Sequence, residues 1–245
     1  MAEQVGSPSY MQDGYAKYQE QYRTKLKDSD AQILRLIDEL LPNRGKGSTI
    51  VDIGCHTGNL LLHLNRRYPE AQLVGWDIFP AVIDSCRKDP ALATVTFDVM
   101  NVLDVQAAGL ADVAVLSAVL FRFGDQEHET AWCQISKALK PDGHAVVLDF
   151  YHEFRQTLRI VDETDVHPDG LTLNLRSRWD VEKQLQGLGF DEVHFFPFEI
   201  SIDLERKDPG DGVSTYTRRT ADGRRLQFRG ALYQPWCHLT ARKRF

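Results

Sequence analysis

Short apolar runs and helical stripes alternate along this chain, and the alternation dictates its architecture. Thr49-Ile50-Val51-Asp52-Ile53, Leu73-Val74-Gly75-Trp76-Asp77, Val95–Met100, Asp112–Ser117 and Ala145–Phe150 read as strands, mostly apolar along their length. Helical spacing fills the gaps. Ile33, Leu36, Ile37, Leu40 and Leu41 form one stripe, behind Ser29-Asp30-Ala31-Gln32, which reads as a capping box. Pro42–Gly47 stops that helix. A second helix runs from Leu60 to Tyr68 and ends before Pro69, and Pro80 opens a third at a first-turn position. Gln126 to Leu139 is a fourth, with Trp132, Ile135 and Leu139 on one face, and Lys140-Pro141-Asp142-Gly143 reads as a turn after it. Apolar strands alternating with helices mean a parallel sheet covered on both faces.

The rhythm changes after residue 150. Residues 151–177 read as a mixed connection containing His152, Arg155, His167 and Pro168. Ser177 caps a helix through about Leu188, and a strand lies near Val193–Phe196. Residues 199–231 read as an inserted hairpin, with arms Ser214–Thr220 and Arg225–Arg229 and turn signals at Asp208–Gly212 and Ala221-Asp222-Gly223. Cys237–Ala241 is a last strand. At the other end, Tyr15, Tyr18 and Tyr22 share a helical face in a polar stretch that also holds Tyr10 and Arg23. Such a segment packs its rings on the core or serves as a lid over a ligand.

Composition narrows the class. A chain of 245 residues suffices for one α/β domain with a large core. The net charge of −6 leaves no overall basic footprint for nucleic acid. No apolar run approaches membrane-spanning length, and Met1-Ala2-Glu3-Gln4 lacks the pattern of a secretion signal, so a cytoplasmic setting is expected. Four cysteines without a C-x-x-C pair argue for free thiols rather than disulfides or zinc. The histidines show no helical pairing that would hold a metal. Five arginines on the hairpin, Arg218, Arg219, Arg224, Arg225 and Arg229, read as a solvated face, with an anion or RNA surface as the minority reading.

The candidate chemistry starts at the end of the first strand. Asp52-Ile53-Gly54-Cys55-His56-Thr57-Gly58 leads from strand to helix through a glycine turn, where backbone can approach a ligand and the N–H groups of a helix start face the same crevice. The spacing is not that of the dinucleotide motif G-x-G-x-x-G. A carboxylate at Asp52 repels a pyrophosphate and suits a ligand with an ammonium group and sugar hydroxyls. The turn resembles motif I, D-x-G-x-G-x-G, of the class I S-adenosylmethionine (SAM)-dependent methyltransferases, with His56 in place of the central glycine. Leu139-Lys140-Pro141-Asp142-Gly143 resembles that family's L-k-P-G-G turn, with Asp142 in place of a glycine. The likeness is close over residues 48–150 and loose in the final strands.

The resemblance implies a doubly wound, Rossmann-like α/β sheet of about seven strands, mostly parallel with an antiparallel last strand. It implies one domain over 1–245, comprising an N-terminal helical lid at 1–47, a cofactor core at 48–150, and insertions at 151–178 and 199–231 that shape the substrate pocket. SAM is the implied cofactor. Asp52, Gly54, Cys55 and Gly58 would form its turn. Asp77 would accept the ribose hydroxyls, and Trp76, Ile78 and Phe79 would wall the adenine. Asn101, ahead of Asp98 and Asp104, would meet the adenine amino group beside Val102. Ser117 and Val119 would lie along the methionine part, and Tyr22 or Arg23 would reach its carboxylate from the lid. Phe121 and Arg122 after the fourth strand, and Tyr151 and His152 after the fifth, are the candidate catalytic and acceptor-binding residues: His152 reads as a general base or as a surface-loop histidine bonded to backbone, and Arg122 as an anchor for an acidic substrate or the partner of a neighbouring acid. Tyr15, Tyr18, Phe121, Tyr151 and Trp179 are candidates to surround the sulfonium by cation–π attraction.

The leading expectation is in-line methyl transfer to a small molecule, without membrane or nucleic-acid partners and with a homodimer as a compatible assembly. A second reading keeps SAM but not the acceptor: internal attack of its own amine gives azetidine-2-carboxylate and methylthioadenosine. A third is a SAM-binding regulator or inactive subunit.

Overall fold

β1 (Thr49–Ile53) is buried at every position and pairs in parallel with β2 (Gln72–Asp77) on one side and β4 (Ala111–Ser117) on the other. β3 (Thr96–Val99) continues the sheet beyond β2, and β5 (Leu139–His152) beyond β4, both in parallel. β12 (Trp236–Lys243) pairs antiparallel with both β5 and β8 (Phe190–Pro197), which gives the order β3-β2-β1-β4-β5-β12-β8. This is the expected doubly wound sheet with its antiparallel last strand. The coordinates come from a computed structural model that describes residues 19–164 and 167–244. The tyrosines at 10, 15 and 18 lie outside the described residues.

Alternation along β1 assigns its two faces. Ile50 and Asp52 point to one layer and Val51 and Ile53 to the other. The first layer holds α1 (Asp28–Leu40), α2 (Asn59–Arg67) and α3 (Pro80–Lys88), through Ile33, Leu36, Ile37, Leu61, Leu64 and Ile83. The second holds α4 (Asp125–Ala138) and α5 (Arg178–Gly187), through Trp132, Ile135, Val181 and Leu185. Each fully buried Leu or Ile contributes about 1.5–3 kcal/mol by leaving water, so these stripes fix which way every helix lies.

Four expectations are corrected. Residues 151–177 are not an irregular connection: β6 (Leu158–Thr164) and β7 (His167–Ser177) form an antiparallel hairpin, and β7 joins the end of β5 in parallel at Tyr151↔Arg176 and His152↔Ser177. Leu171, Leu173 and Leu175 share one face of β7, and from Leu173 to Ser177 the strand is buried at every position. Ser29 does not cap α1. The helix begins at Asp28, Ser29 Oγ bonds Asp30, and Asp28 instead accepts the N–H of Ser201 at 2.7 Å, which ties the helix start to the far end of the chain. Ser177 occupies the N-cap position of α5, yet its buried hydroxyl makes no capping bond. The turn at Lys140–Gly143 lies within the ladder of β5 as an excursion: Ala111 pairs with Leu139 but Val113 with His144, and Asp142 takes a φ of 61°.

The hairpin of residues 199–231 forms as expected, with β9 (Thr215–Arg219) and β10 (Arg225–Arg229) as its arms and β11 (Leu232–Tyr233) added on β10. It forms its own three-stranded sheet, and Leu232 and the Arg229–Asp162 pair bring it against β6 and β7. Phe121, Phe150, Leu173 and Leu175, with Ile160, Leu232 and Trp236 against them, form a third apolar cluster at the C-terminal ends of β4 and β5.

Candidate active site

Strand order reverses between β1 and β4, and the crevice at such a point is where ligands bind in open α/β sheets. The glycine turn lies there. Gly54 has φ 79° and Gly58 φ 71°, a backbone region that L side chains avoid. A Cβ on Gly54 would fall 2.7 Å from Val119, and one on Gly58 2.7 Å from Leu92. His56 also takes a left-handed φ, 47°. The position filled by glycine in motif I thus keeps glycine's conformation here, in a residue type that enters this region more readily than most.

Asp77, at the end of β2, holds the turn in place. One carboxylate oxygen accepts the His56 N–H at 3.0 Å and the other accepts the Phe79 N–H at 3.1 Å. Beyond it the surface turns apolar where a polar one would be ordinary. Ile78 is 50% exposed and Val99, at the end of β3, is 46% exposed. Trp76, in contrast, is 1% exposed and packs in the core layer of α4 and α5, so it is removed from the adenine wall.

Asp52 is 3% exposed and faces the α1 layer rather than open crevice. Burial raises its pKa to about 8, and the carboxylates of Asp30 and Asp77 push in the same direction. A buried acid hemmed in by two others is a poor neighbour for phosphate and a good one for a cation. Asn59, 5% exposed, donates to the backbone and side-chain oxygens of Gln19, which draws the segment before α1 across the turn. Tyr22 is half-buried; its carbonyl lies 3.0 Å from His63 Nε2 and Lys27 stands over its ring. Arg23 is turned onto Asp89. Asn101 is exposed and its side-chain oxygen accepts the Leu103 N–H at 2.9 Å, while Val102 is buried in the core. Ser117 is half-buried at the end of β4, opposite Leu148.

The second half of the site lies under the third apolar cluster. Phe121 packs on Phe150 at 5.1 Å between ring centroids and meets Trp236 edge-on at 6.1 Å. Arg122 is exposed, its guanidinium 5.6 Å from the Phe121 ring. His152 is buried, and among the described residues neither imidazole nitrogen has a hydrogen-bond partner. Its register partner Ser177 is fully buried with an equally unpartnered hydroxyl. Tyr151 points to the opposite face, against Phe195, and its hydroxyl is also unpartnered. Trp179 is corrected as a sulfonium candidate: it is 53% exposed, and Arg155 already sits 5.1 Å over its ring, a cation where another cation would be repelled.

Three buried groups here escaped the reading of the sequence. Asp149 is 2% exposed; burial lifts its pKa to about 7, while the Phe150 N–H, which it accepts at 2.6 Å, and the Arg176 guanidinium partly offset that. Arg176 donates to the carbonyls of Leu120 and Phe123, and Asn174 donates to that of Phe121 at 3.0 Å. Together they fasten the segment after β4 to β7. Asp149 was visible as the single acid in Ala145–Phe150. Arg176 and Asn174 carried no signal, because their partners are main-chain carbonyls more than fifty residues away.

The hairpin arginines are engaged by acids and rings of the protein itself, Arg229 by an acid on β6. Arg219 and Arg225 both pair with Asp203, Arg224 pairs with Asp222, Arg229 with Asp162, and Arg218 lies over Tyr216 and Phe228. Among the described residues, no helix is long and apolar enough to cross a membrane.

Comparison with known proteins agrees with this geometry. The family model of the methyltransferase domain matches residues 18–194. No curated protein matches the chain in sequence. Among solved structures, a Listeria monocytogenes protein assigned to the SAM-dependent methyltransferases is similar at TM-score 0.58 and 13% identity, over 85% of this chain and 96% of that one. A SAM-dependent methyltransferase from Mesorhizobium loti is similar at TM-score 0.55 and 17% identity, over 85% and 96%. The 1,6-didemethyltoxoflavin-N1-methyltransferase of Burkholderia thailandensis, solved with 1,6-didemethyltoxoflavin and S-adenosylhomocysteine, is similar at TM-score 0.56 and 13% identity, over 94% and 84%.

Proposed function

This chain belongs to the class I SAM-dependent methyltransferases, and from that premise we propose that it methylates a small molecule held beneath its two hairpins. The enzyme class and the use of SAM follow from the family. The acceptor class, the roles of individual residues and the division of labour along the chain are our reading.

The residues at the crevice fit SAM. Asp77 stands where ribose hydroxyls need an acceptor, and the exposed Ile78 and Val99 offer apolar walls for adenine beside Asn101 and Val102. Asp52, uncomfortable as a buried anion, gains from an ammonium nearby. Gly54 and Gly58 keep the turn free of side chains, Cys55 and Ser117 border it, and Gln19 and Tyr22 bring the chain across it. Bound SAM supplies a methyl group already activated on a sulfonium.

One observation carries the acceptor assignment: His152 Nδ1 and Nε2 and Ser177 Oγ are buried and unpartnered on adjacent strands beside an apolar roof. A buried polar group without a partner is costly and rare, so a ligand that partners it recovers that cost. An enclosed acceptor with a hydroxyl or amine fits, and His152 is assigned as the group that takes its proton. Phe121 shapes the enclosure, Tyr151 backs the strand from the opposite face, Arg122 stands at the rim, and Asn174 and Arg176 hold the wall.

The test is to incubate purified protein with SAM, alone and then with a metabolite library, and to read nucleoside products by mass spectrometry. SAM should persist alone, and S-adenosylhomocysteine should appear with particular hydroxyl or amine compounds. With such an acceptor, His152→Ala should lower kcat by about 10²–10⁴-fold. Methylthioadenosine forming from SAM alone would replace this reading with the internal cyclisation. SAM binding without turnover in any extract would leave a regulator.

A further inference from the structure

The glycine turn carries a second piece of chemistry that methyl transfer does not use. Cys55 lies in the turn and Cys86 on α3, and both are buried, at 5% and 3% exposure. Both sulfurs are aimed at one carbonyl: Cys86 Sγ is 3.1 Å from His56 O and Cys55 Sγ is 4.0 Å from the same atom. The shared His56 carbonyl brings the two sulfurs together beneath the turn, with Cys86 the nearer of the two. The turn packs directly on this pair, since a Cβ added to Gly58 would sit 3.6 Å from Cys86 Sγ. Of the other cysteines, Cys133 is exposed on α4 and Cys237 is buried in the opposite layer. The pair is not sealed. A cleft of about 360 Å³ opens onto Cys86, lined also by Arg23, Thr57, Asn59, Ser85 and Lys88.

We propose that Cys55 and Cys86 are an oxidisable dithiol whose disulfide closes the cofactor turn to SAM. The oxidant is a peroxide, small enough to enter the cleft. The Cys86 sulfur attacks a peroxide oxygen; the O–O bond breaks, leaving a sulfenic acid and, with hydrogen peroxide, one water. The Cys55 sulfur then attacks the Cys86 sulfur; the S–O bond breaks and a second water leaves with the Cys55 proton. Each sulfur gives up one electron, and the two peroxide oxygens take them up. The product brings the sulfurs to about 2.05 Å, a covalent distance, and removes both S–H groups from the His56 carbonyl. His56 is the residue whose N–H is held by Asp77, so the bond draws the turn toward α3 at the residue that orients the ribose-binding carboxylate. Thiol reductants reverse the change by exchange.

The full chain, reduced and then titrated with hydrogen peroxide, is alkylated and mapped by peptide mass spectrometry, while SAM affinity is read by calorimetry. A linked Cys55–Cys86 peptide should appear, with two of the four thiols lost. SAM affinity should fall by about tenfold or more and return with dithiothreitol. Cys86→Ala should keep the affinity of the reduced protein and ignore peroxide; Cys86→Ser serves if the alanine variant does not fold. Cys133→Ser should respond as the unaltered chain does. The proposal is overturned if Cys133 oxidises fully while no linked peptide forms, or if the linked protein binds SAM as before. Mass mapping reads the disulfide whether or not SAM is the ligand, so failure of the dithiol and failure of the functional reading are distinguishable.

Discussion

At the scale of single residues, two positions show how a backbone requirement outlives the residue type that usually meets it. His56 and Asp142 stand where the resembled motifs have glycine, and both take a positive φ, 47° and 61°. The sequence shows the departure; only the backbone shows that the demand persists. His and Asp visit this region at modest cost, whereas β-branched residues are strongly disfavoured there. His56→Gly should therefore fold at least as stably as the natural chain, and His56→Val should lose about 1–3 kcal/mol in chemical denaturation. Equal losses for both variants would mean that the side chain of His56, not its backbone, sets its place. Asp77 was legible as a strand-end acid. Its partners, the N–H groups of His56 and Phe79, follow from the turn geometry and not from spacing.

At the scale of elements, the strongly periodic helices and the first four strands were legible within a residue or two, because their apolar positions repeat with the period of the structure that buries them, whereas β5 starts six residues before the apolar run that announced it. Residues 151–177 were not, because Asp162, His167 and Pro168 interrupt an alternation that becomes clear only at Leu171, Leu173 and Leu175. The pairing that makes this segment a hairpin is with itself and with β5. The two insertions are also joined to each other: Arg229 on β10 pairs with Asp162 on β6, both partly buried. Breaking that pair should loosen the roof and leave the cofactor crevice alone. Arg229→Ala is expected to raise the KM for the acceptor about fivefold, the equivalent of about 1 kcal/mol, with SAM affinity unchanged. Steady-state kinetics with each substrate varied checks it; a change in SAM affinity with an unaltered acceptor KM would contradict the division.

At the scale of the whole molecule, buried titratable groups couple stability to pH with opposite signs. Asp52 and Asp149, raised to about 8 and about 7, bind more protons folded than unfolded, so their contribution falls as pH rises from about 4 toward those values. Burial lowers His128 to about 3 and His238 to about 4, so they bind fewer protons folded, and their penalty vanishes as pH rises to about 6.5. The two effects oppose each other below about pH 6.5, and above it the histidine penalty is gone while the loss from the acids continues. The melting temperature should therefore fall by several degrees between about pH 6.5 and 8.5, a decline that Asp52→Asn reduces and saturating SAM also reduces. A melting temperature that rises over that window would refute the assignment of Asp52 as a buried, proton-holding acid. The sequence by itself determined the layered sheet, the crevice at its switch point and the cofactor class, because each is encoded in local periodicity, turn chemistry and a short motif. Only the tertiary structure decided which strand ends lie under a roof, that His152 and Ser177 are buried side by side without partners among the described residues, and that Cys55 and Cys86 meet at the His56 carbonyl. Those contacts join residues tens of positions apart, and no local pattern records them until the sheet has brought them together.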